Sequence, residues 1–408
     1  MHPTTDRSTP PVDLLVAGAR LADRDGLCDL VVRDGVVASI DPTGSTPPVA
    51  DVLDAAGRAV TPAFVDAHVH LDKAFLLPDA EALGPVEPHL ASAIAAVEVL
   101  RSSVTRETVR ANAARALRVL ARHGTVAARA QVEVTPGTGL GLVHLHRELA
   151  ADVATDVDLQ LVAFPQLGLE LPGALDLLRA AMAEGATVVG GCPYVDRDPV
   201  AHLDAVFAIA ERFGAPIDLH LDFTDDAGCS HLDLVIERTR ALGMAGRVAI
   251  GHVTTLAAMA PELQARAFER LAEAGIALVV LPATDLFLGG HGEPGSRSLA
   301  PIERAAAAGV TVAIASNNLA NPFAPFGNGS LVQAAWLAGI ILRLGDAPGR
   351  RLLLDAITVN PAAILGLGRH GPTVGARADL VVLDTADAAW AITQAPAVVT
   401  TVRGGVRS

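Results

Sequence analysis

Short apolar runs alternate with Ala-, Leu-, Arg- and Glu-rich stretches through the middle of this 408-residue chain, and that alternation limits the fold more than any other feature. Eight strand candidates stand out: Phe64–His70, Thr125–Val134, Gln160–Gln166, Thr187–Pro193, Pro216–Asp222, Val248–His252, Ala277–Pro282 and Val310–Ala315. Most are continuous apolar runs, as expected of parallel strands covered on both faces. Between them lie good helix formers, among them Arg106–Arg122, Leu171–Glu184, Val200–Arg212 and Pro261–Ala274. Strand followed by helix is the signature of βα units. Eight such units over about 300 residues predict an α/β protein closed as a (β/α)8 TIM barrel.

Both ends of the chain have a different texture. From Val12 to Ala59 the pattern is short strands and turns, with Asp34-Gly35 offering a hairpin turn between two apolar runs. ADLVVLDTAD and VVTTVRGGVRS repeat that texture at the C-terminus. Chain ends often lie close together, so residues 1–61 and 368–408 are expected to form one composite β-sandwich, leaving 62–367 for the barrel. The residues ahead of Val12 are polar and Pro-rich, which suits a loose leader and lacks the apolar stretch of a signal peptide.

Composition narrows the partners. The chain is 51% hydrophobic and 19% charged, enough to bury a sizeable core, with only 3% aromatic residues. A net charge of −14 argues against nucleic acid and against an anionic membrane surface. No apolar run is long enough to span a bilayer. Cys28, Cys192 and Cys229 are far apart and odd in number, so a disulfide framework is not expected and a reducing cytoplasm is.

The polar residues at the expected strand ends form a short list. TPAFVDAHVHLDK ends the first strand with His68 and His70, which two-residue spacing puts on one face. The third strand ends with Gln166, the fifth with His220 and Asp222, the sixth with His252, the eighth with Asn317 and Asn318. Imidazole is a good ligand for Zn²⁺ or Fe²⁺, and barrels keep their chemistry where strands end. His144-Leu145-His146 makes a useful contrast: its segment is helix-like, where such spacing shares no face. Lys73 is open between a functional cation and a plain ion-pair residue. Cys192, after two glycines, is expected to be a small core residue. No chemistry is assigned to His123 or His231.

These strings resemble the amidohydrolase superfamily, and within it the cytosine deaminase-like branch. The resemblance runs nearly end to end, through TPAFVDAHVHLDK, ARAQVEV, LQLVAFPQLG, IDLHLDFTDD, GHVTT, ASNNLANPFAPFGNG and GARADLVVLD. It implies one divalent metal, zinc or iron, held by His68, His70, His220 and the residue at Asn317. It implies that His252 contacts the attacking oxygen and the substrate oxygen, and that Gln166 bonds the amide edge of a small ring substrate. Oligomers are common among such proteins, so a homo-oligomer is an expectation without a specified interface.

Two positions depart from the family pattern. The ligand aspartate of the eighth strand falls on Asn317, and the catalytic glutamate three residues after the fifth-strand histidine falls on Phe223. An amide offers only a neutral oxygen, and phenylalanine carries no proton. Asp222 shares strand parity with His220 and is a substitute carboxylate in the catalytic set with His252 and Asn317. Asp225, Asp226 and Asp285 fit solvated loop or helix-cap positions better. Phe223 suits an apolar wall against a ring, beside Gln166 and Lys73. The expected function is metal-dependent hydrolysis of a C–N bond in a small cyclic amide, amidine or aminoheterocycle. The competing class is a silent barrel that binds a heterocycle or metal without turnover.

Overall fold

The computed structural model describes residues 13–45, 49, 51–152, 156–291, 298–387 and 390–407. The leader expected ahead of Val12 lies outside them. Five short strands come first: β1 (Leu14–Ala19), β2 (Cys28–Arg33), β3 (Val36–Pro42), β4 (Val52–Asp54) and β5 (Ala59–Pro62). The β2–β3 hairpin turns on Asp34 and Gly35, at φ 50° and 71°. Two successive left-handed residues are what a tight hairpin turn needs, and Asp and Gly tolerate them. The first four strands form one sheet in the order β3-β2-β1-β4.

The next eight strands are parallel neighbours in sequence order: β6 (Phe64–Val69), β7 (Thr125–Glu133), β8 (Asp158–Phe164), β9 (Val188–Gly191), β10 (Ile217–Leu221), β11 (Val248–His252), β12 (Ile276–Val280) and β13 (Val312–Ile314). Helices connect them. Arg106–Arg122 is representative: Thr105 caps its N-terminus by accepting from the Thr108 N–H, and Ala113, Ala116, Leu117 and Leu120 form its buried stripe. The eight-strand sheet closes on itself through Asn317. Its N–H donates to the His68 carbonyl at 2.9 Å, and its carbonyl accepts from the His70 N–H at 2.6 Å. This is the TIM barrel.

The last three strands are β14 (Leu380–Leu383), β15 (Val398–Arg403) and β16 (Val406–Arg407). They join β5 in a second four-stranded sheet, with Leu380 opposite Pro62 and Leu383 opposite Ala59. Pro62 is tolerated because β5 is an edge strand. One apolar core serves both terminal sheets: Leu14, Val16, Leu30 and Val32 from the N-terminal sheet pack with Val60, Leu380, Val382 and Val402. Each fully buried side chain of this kind contributes roughly 1.5–3 kcal/mol. The chain divides into two compact units, one running to Ala63 and resuming at Gly368, the other Phe64–Leu367. Among the described residues no helix is long and apolar enough to cross a membrane.

Candidate metal centre and active site

Three imidazoles meet at the ends of the barrel strands. His68 lies on β6, His70 follows the last residue of that strand, and His220 sits on β10. The Nε2 atoms of His68 and His70 each lie 3.1 Å from Nε2 of His220. Among the described residues, the group whose ligand atoms all lie within 4.8 Å of one another is His68, His220 and His252, with His70 reaching it through His220. All four rings are buried. Burial holds His68 below the usual imidazole range, against the pull of Asp218. Burial, then the Lys73 charge, pushes His70 well down; burial, then the neighbouring imidazoles, does the same to His220. His68, His70 and His220 are therefore neutral near pH 7, and neutral imidazole is the form that ligates a metal. Asn317, at φ 58°, adds a buried Oδ1 with no hydrogen-bond partner. Asn is one of the few residues that tolerates that backbone region. Three clustered nitrogens and an orphaned amide oxygen fit a single divalent ion.

The rings are held from behind by a polar file inside the barrel. On β7, Arg129, Gln131 and Glu133 alternate with Ala130 and Val132, so all three share one face. Gln131 lies 3.2 Å from His68 Nδ1 and donates to Asp218 at 3.0 Å. Asp218 also accepts from Arg129 at 2.9 Å and lies 3.3 Å from His68 Nδ1. The Phe164 ring stacks on His220 at 4.0 Å. His252 Nδ1 donates to Asp285 at 2.6 Å, and the second Asp285 oxygen accepts from the Leu281 N–H. That arrangement turns His252 Nε2 toward the other imidazoles and fixes its tautomer.

The expected site residues converge with one exception. A cavity of about 20 Å³ is lined by His70, His220, His252, Asn317, Gln166, Lys73 and Phe223 among others. Phe223 meets the His252 ring edge-to-face at 5.0 Å. Lys73 Nζ donates to Gln166 Oε1 at 3.0 Å and to Glu133 Oε2 at 3.3 Å. Asp222 does not point into the site. Its φ of 48° ends the strand alternation that would have carried it there. Its carboxylate instead accepts from Ser230 Oγ, the His231 N–H and His231 Nδ1, and it is absent from the cavity wall.

Asp285 is the reverse case. It is fully buried against His252 rather than a solvated loop residue. Asp225 and Asp226 do serve loops: Asp225 accepts from Gly290, His291 and Ser298, and Asp226 from Gly228. Cys192 is a buried core residue. In the contrasting His144–His146 pair, His146 is buried with Nδ1 bonded to the Leu142 carbonyl, while His144 is exposed. Arg129, Gln131, Glu133 and Asp218 were not singled out from sequence. The signal was present as polar residues at every second position of otherwise apolar strands, ARAQVEV and IDLHL.

Comparisons with known proteins agree with this architecture. The Amidohydrolase family profile matches residues 78–408, so it takes in the barrel beyond the His-x-His pair and excludes the pair itself. N-isopropylammelide isopropyl amidohydrolase of Pseudomonas sp. strain ADP is 28% identical over 93% of this chain and 93% of its own length. Pterin deaminase of Rhizobium rhizogenes is 30% identical over 86% of this chain and 81% of its own. The structure of 5-methylcytosine deaminase from Klebsiella pneumoniae with 5-fluorocytosine superposes with a TM-score of 0.90 at 27% identity, over 96% of each chain. Matched by the family profile over most of its length, the chain belongs to the amidohydrolase family and is a hydrolase acting on carbon–nitrogen bonds.

Proposed function

We propose that this enzyme removes an amino or alkylamino group from a small nitrogen heterocycle, with one divalent ion held by His68, His70, His220 and Asn317. The observation that carries the reading is the pair of 3.1 Å approaches of His68 and His70 Nε2 to His220 Nε2, with the unpartnered Asn317 Oδ1 on the cavity wall that His70 and His220 also line. The named activities of the relatives, on N-isopropylammelide, a pterin and 5-methylcytosine, support the substrate class. Bound there, zinc or iron would supply a Lewis acid that polarises water and substrate.

The protein's own groups do the rest. His252 Nε2 takes a proton from the attacking water while Asp285 holds the ring and stabilises its cationic form. The same imidazolium then delivers that proton to the departing amine. This division of labour replaces the carboxylate that Phe223 displaces. Phe223 and Phe323 wall the cavity and exclude bulk water. Lys73 and Gln166 hold the ring edge away from the reacting carbon. At about 20 Å³ the cavity is smaller than the ~300–1,000 Å³ of typical ligand sites, so Leu90, Phe223 and Phe323 give way when a ring enters.

The test is metal analysis of the purified protein together with amine release from a panel of amino- and alkylamino-heterocycles. Near-stoichiometric zinc or iron is expected, with turnover lost in His70→Ala and the wild-type melting temperature lowered by chelation. Protein that takes up no metal under replete expression and releases no amine would overturn the proposal.

A further inference from the structure

Tyr194 is the single tyrosine of the chain, and it lines the catalytic cavity. It sits in the one-turn helix Pro193–Val195, just after β9. Because β8, β9 and β10 are neighbours in the barrel, Tyr194 stands between Gln166, which follows β8, and Phe223, which follows β10. The turn that carries it is clamped at both ends. The Cys192 N–H donates to His202 Nε2 at 2.9 Å, and His202 Nδ1 donates to Asp196 Oδ2 at 2.7 Å. That oxygen also accepts the Leu169 N–H at 2.8 Å, which ties the turn to the one following β8. Gly168 leaves no room for a Cβ beside Asp196, so the two turns lie in contact. The His202 and Asp196 side chains are only 0% and 4% exposed.

Burial, then Cys192, holds the Tyr194 phenol well above its ordinary value, so it keeps its hydrogen near pH 7. The hydroxyl's hydrogen-bond neighbour is the Cys192 thiol. Burial pushes that thiol up to about 12, and a thiol sulfur is a weak acceptor. The phenol hydrogen is therefore open to a better acceptor in the cavity. Other polar groups on the wall do not offer the same donor. Lys73 and Gln166, bonded to each other at 3.0 Å, serve the ring edge in the reading above. Asn317 Oδ1 has no partner, but an amide oxygen only accepts. Asn318 is bonded to Asn321 and Thr284, and Thr284 follows β12, two strands beyond β10. Attack of water on an amine-bearing ring carbon drives an electron pair onto the flanking ring nitrogen. A donor already placed there stabilises the developing charge. Phe223 has no hydrogen to give.

We propose, resting on the hydrolase reading above, that Tyr194 is a catalytic residue: its hydroxyl donates a hydrogen bond to the ring nitrogen flanking the amine-bearing carbon, on the side where Phe223 leaves none, and the Asp196–His202 pair positions it. The phenol keeps its proton throughout, and proton transfer stays with His252. The substrate is then a ring with a bare, accepting nitrogen next to the carbon that loses its amine.

The single tyrosine makes the test site-specific. Zinc-reconstituted full-length protein grown with fluorotyrosine carries one fluorine resonance, at Tyr194. Saturating 4-aminopyrimidine, whose ring nitrogen flanks its amine-bearing carbon, is expected to shift that line and to bind at least about tenfold tighter than aniline, which has no ring nitrogen, a gap of ~1.4 kcal/mol. In Tyr194→Phe the two are expected to bind within about threefold of each other. On the panel compound that releases amine fastest, Tyr194→Phe is expected to lower kcat about 10²–10³-fold with KM within about threefold. His202→Ala is expected to lower kcat in the wild type and to add little in Tyr194→Phe, because the pair acts through the tyrosine; should it fail to fold, Asp196→Asn takes its place. A fluorine line that bound 4-aminopyrimidine does not move, or wild-type kcat in Tyr194→Phe, overturns the inference, and additive losses overturn the positioning role. With amine release intact those results leave the hydrolase reading standing, whereas no binding and no turnover sink both.

Discussion

Asp285 accepts from His252 Nδ1 with one oxygen and from the Leu281 N–H with the other, so both are committed to presenting the ring. Asp222 lies beside the same histidines in sequence, yet spends its carboxylate on Ser230 and His231. The two therefore separate cleanly on substitution. Asp285→Asn is expected to lower kcat on the order of 10²–10⁴-fold with little change in KM, because His252 loses its fixed tautomer. Asp222→Asn is expected to leave kcat near wild type and to cost about 1–3 kcal/mol of stability. Steady-state kinetics and urea unfolding on both variants check this, and a catalytic collapse in Asp222→Asn would contradict it. Strand parity suggested the opposite ranking. Parity holds only while the backbone stays extended, and the left-handed φ at Asp222 ends it. His68 and His220 were legible because they sit on strands where alternation applies, whereas Gln166 and Lys73 lie in turns after their strands and stood out only through the strings that carry the family resemblance. Asp285 was not legible, because its partner His252 is reached only through the fold.

β9 shows how an element carries the site without contributing a reactive group. A Cβ at Gly190 would lie 2.5 Å from the Ala163 carbonyl oxygen and 3.0 Å from Phe164 Cα. The missing side chain lets β8 come close enough for Phe164 to lie flat on His220. Gly190→Ala is expected to push β8 away, costing about 1–3 kcal/mol, and to loosen His220 as a ligand. A lower urea midpoint at unchanged m-value, with weakened zinc binding, is the expected result; an unchanged midpoint would show that the strands give way freely. Strand positions were legible from apolar runs, and helices from their composition. The polar file of Arg129, Gln131 and Glu133 was present in the string but carried no meaning until β7 and β10 faced the same interior.

At the scale of the whole molecule, loop carboxylates contribute to acid stability. Burial raises Asp196, but His202 Nδ1 and the N–H groups of Leu169 and Glu170 outweigh it and hold the carboxyl below its usual range. Asp225 behaves alike: burial raises it, and Ser298 with the N–H groups of Gly290 and His291 lowers it further. A carboxyl that ionises more readily when folded binds fewer protons in the folded state, so its contribution is present above the unfolded value of about 3.9 and is lost as pH falls through the lower folded value. Asp196→Asn is expected to flatten the loss of stability below about pH 4. Urea unfolding across the acid range checks it, and an unaltered acid limb would refute the assignment.

The sequence alone determined the barrel, because eight buried parallel strands need apolar runs that little else produces, and it put four histidines at strand ends because strand geometry is local. Pairing of β5 with β14, closure of the barrel through Asn317, the His252–Asp285 pair and the orientation of Gln166 by Lys73 were decided only by tertiary structure. Each joins residues far apart in the chain. No local period records such a contact, and its energy exists only once burial has removed water from both partners.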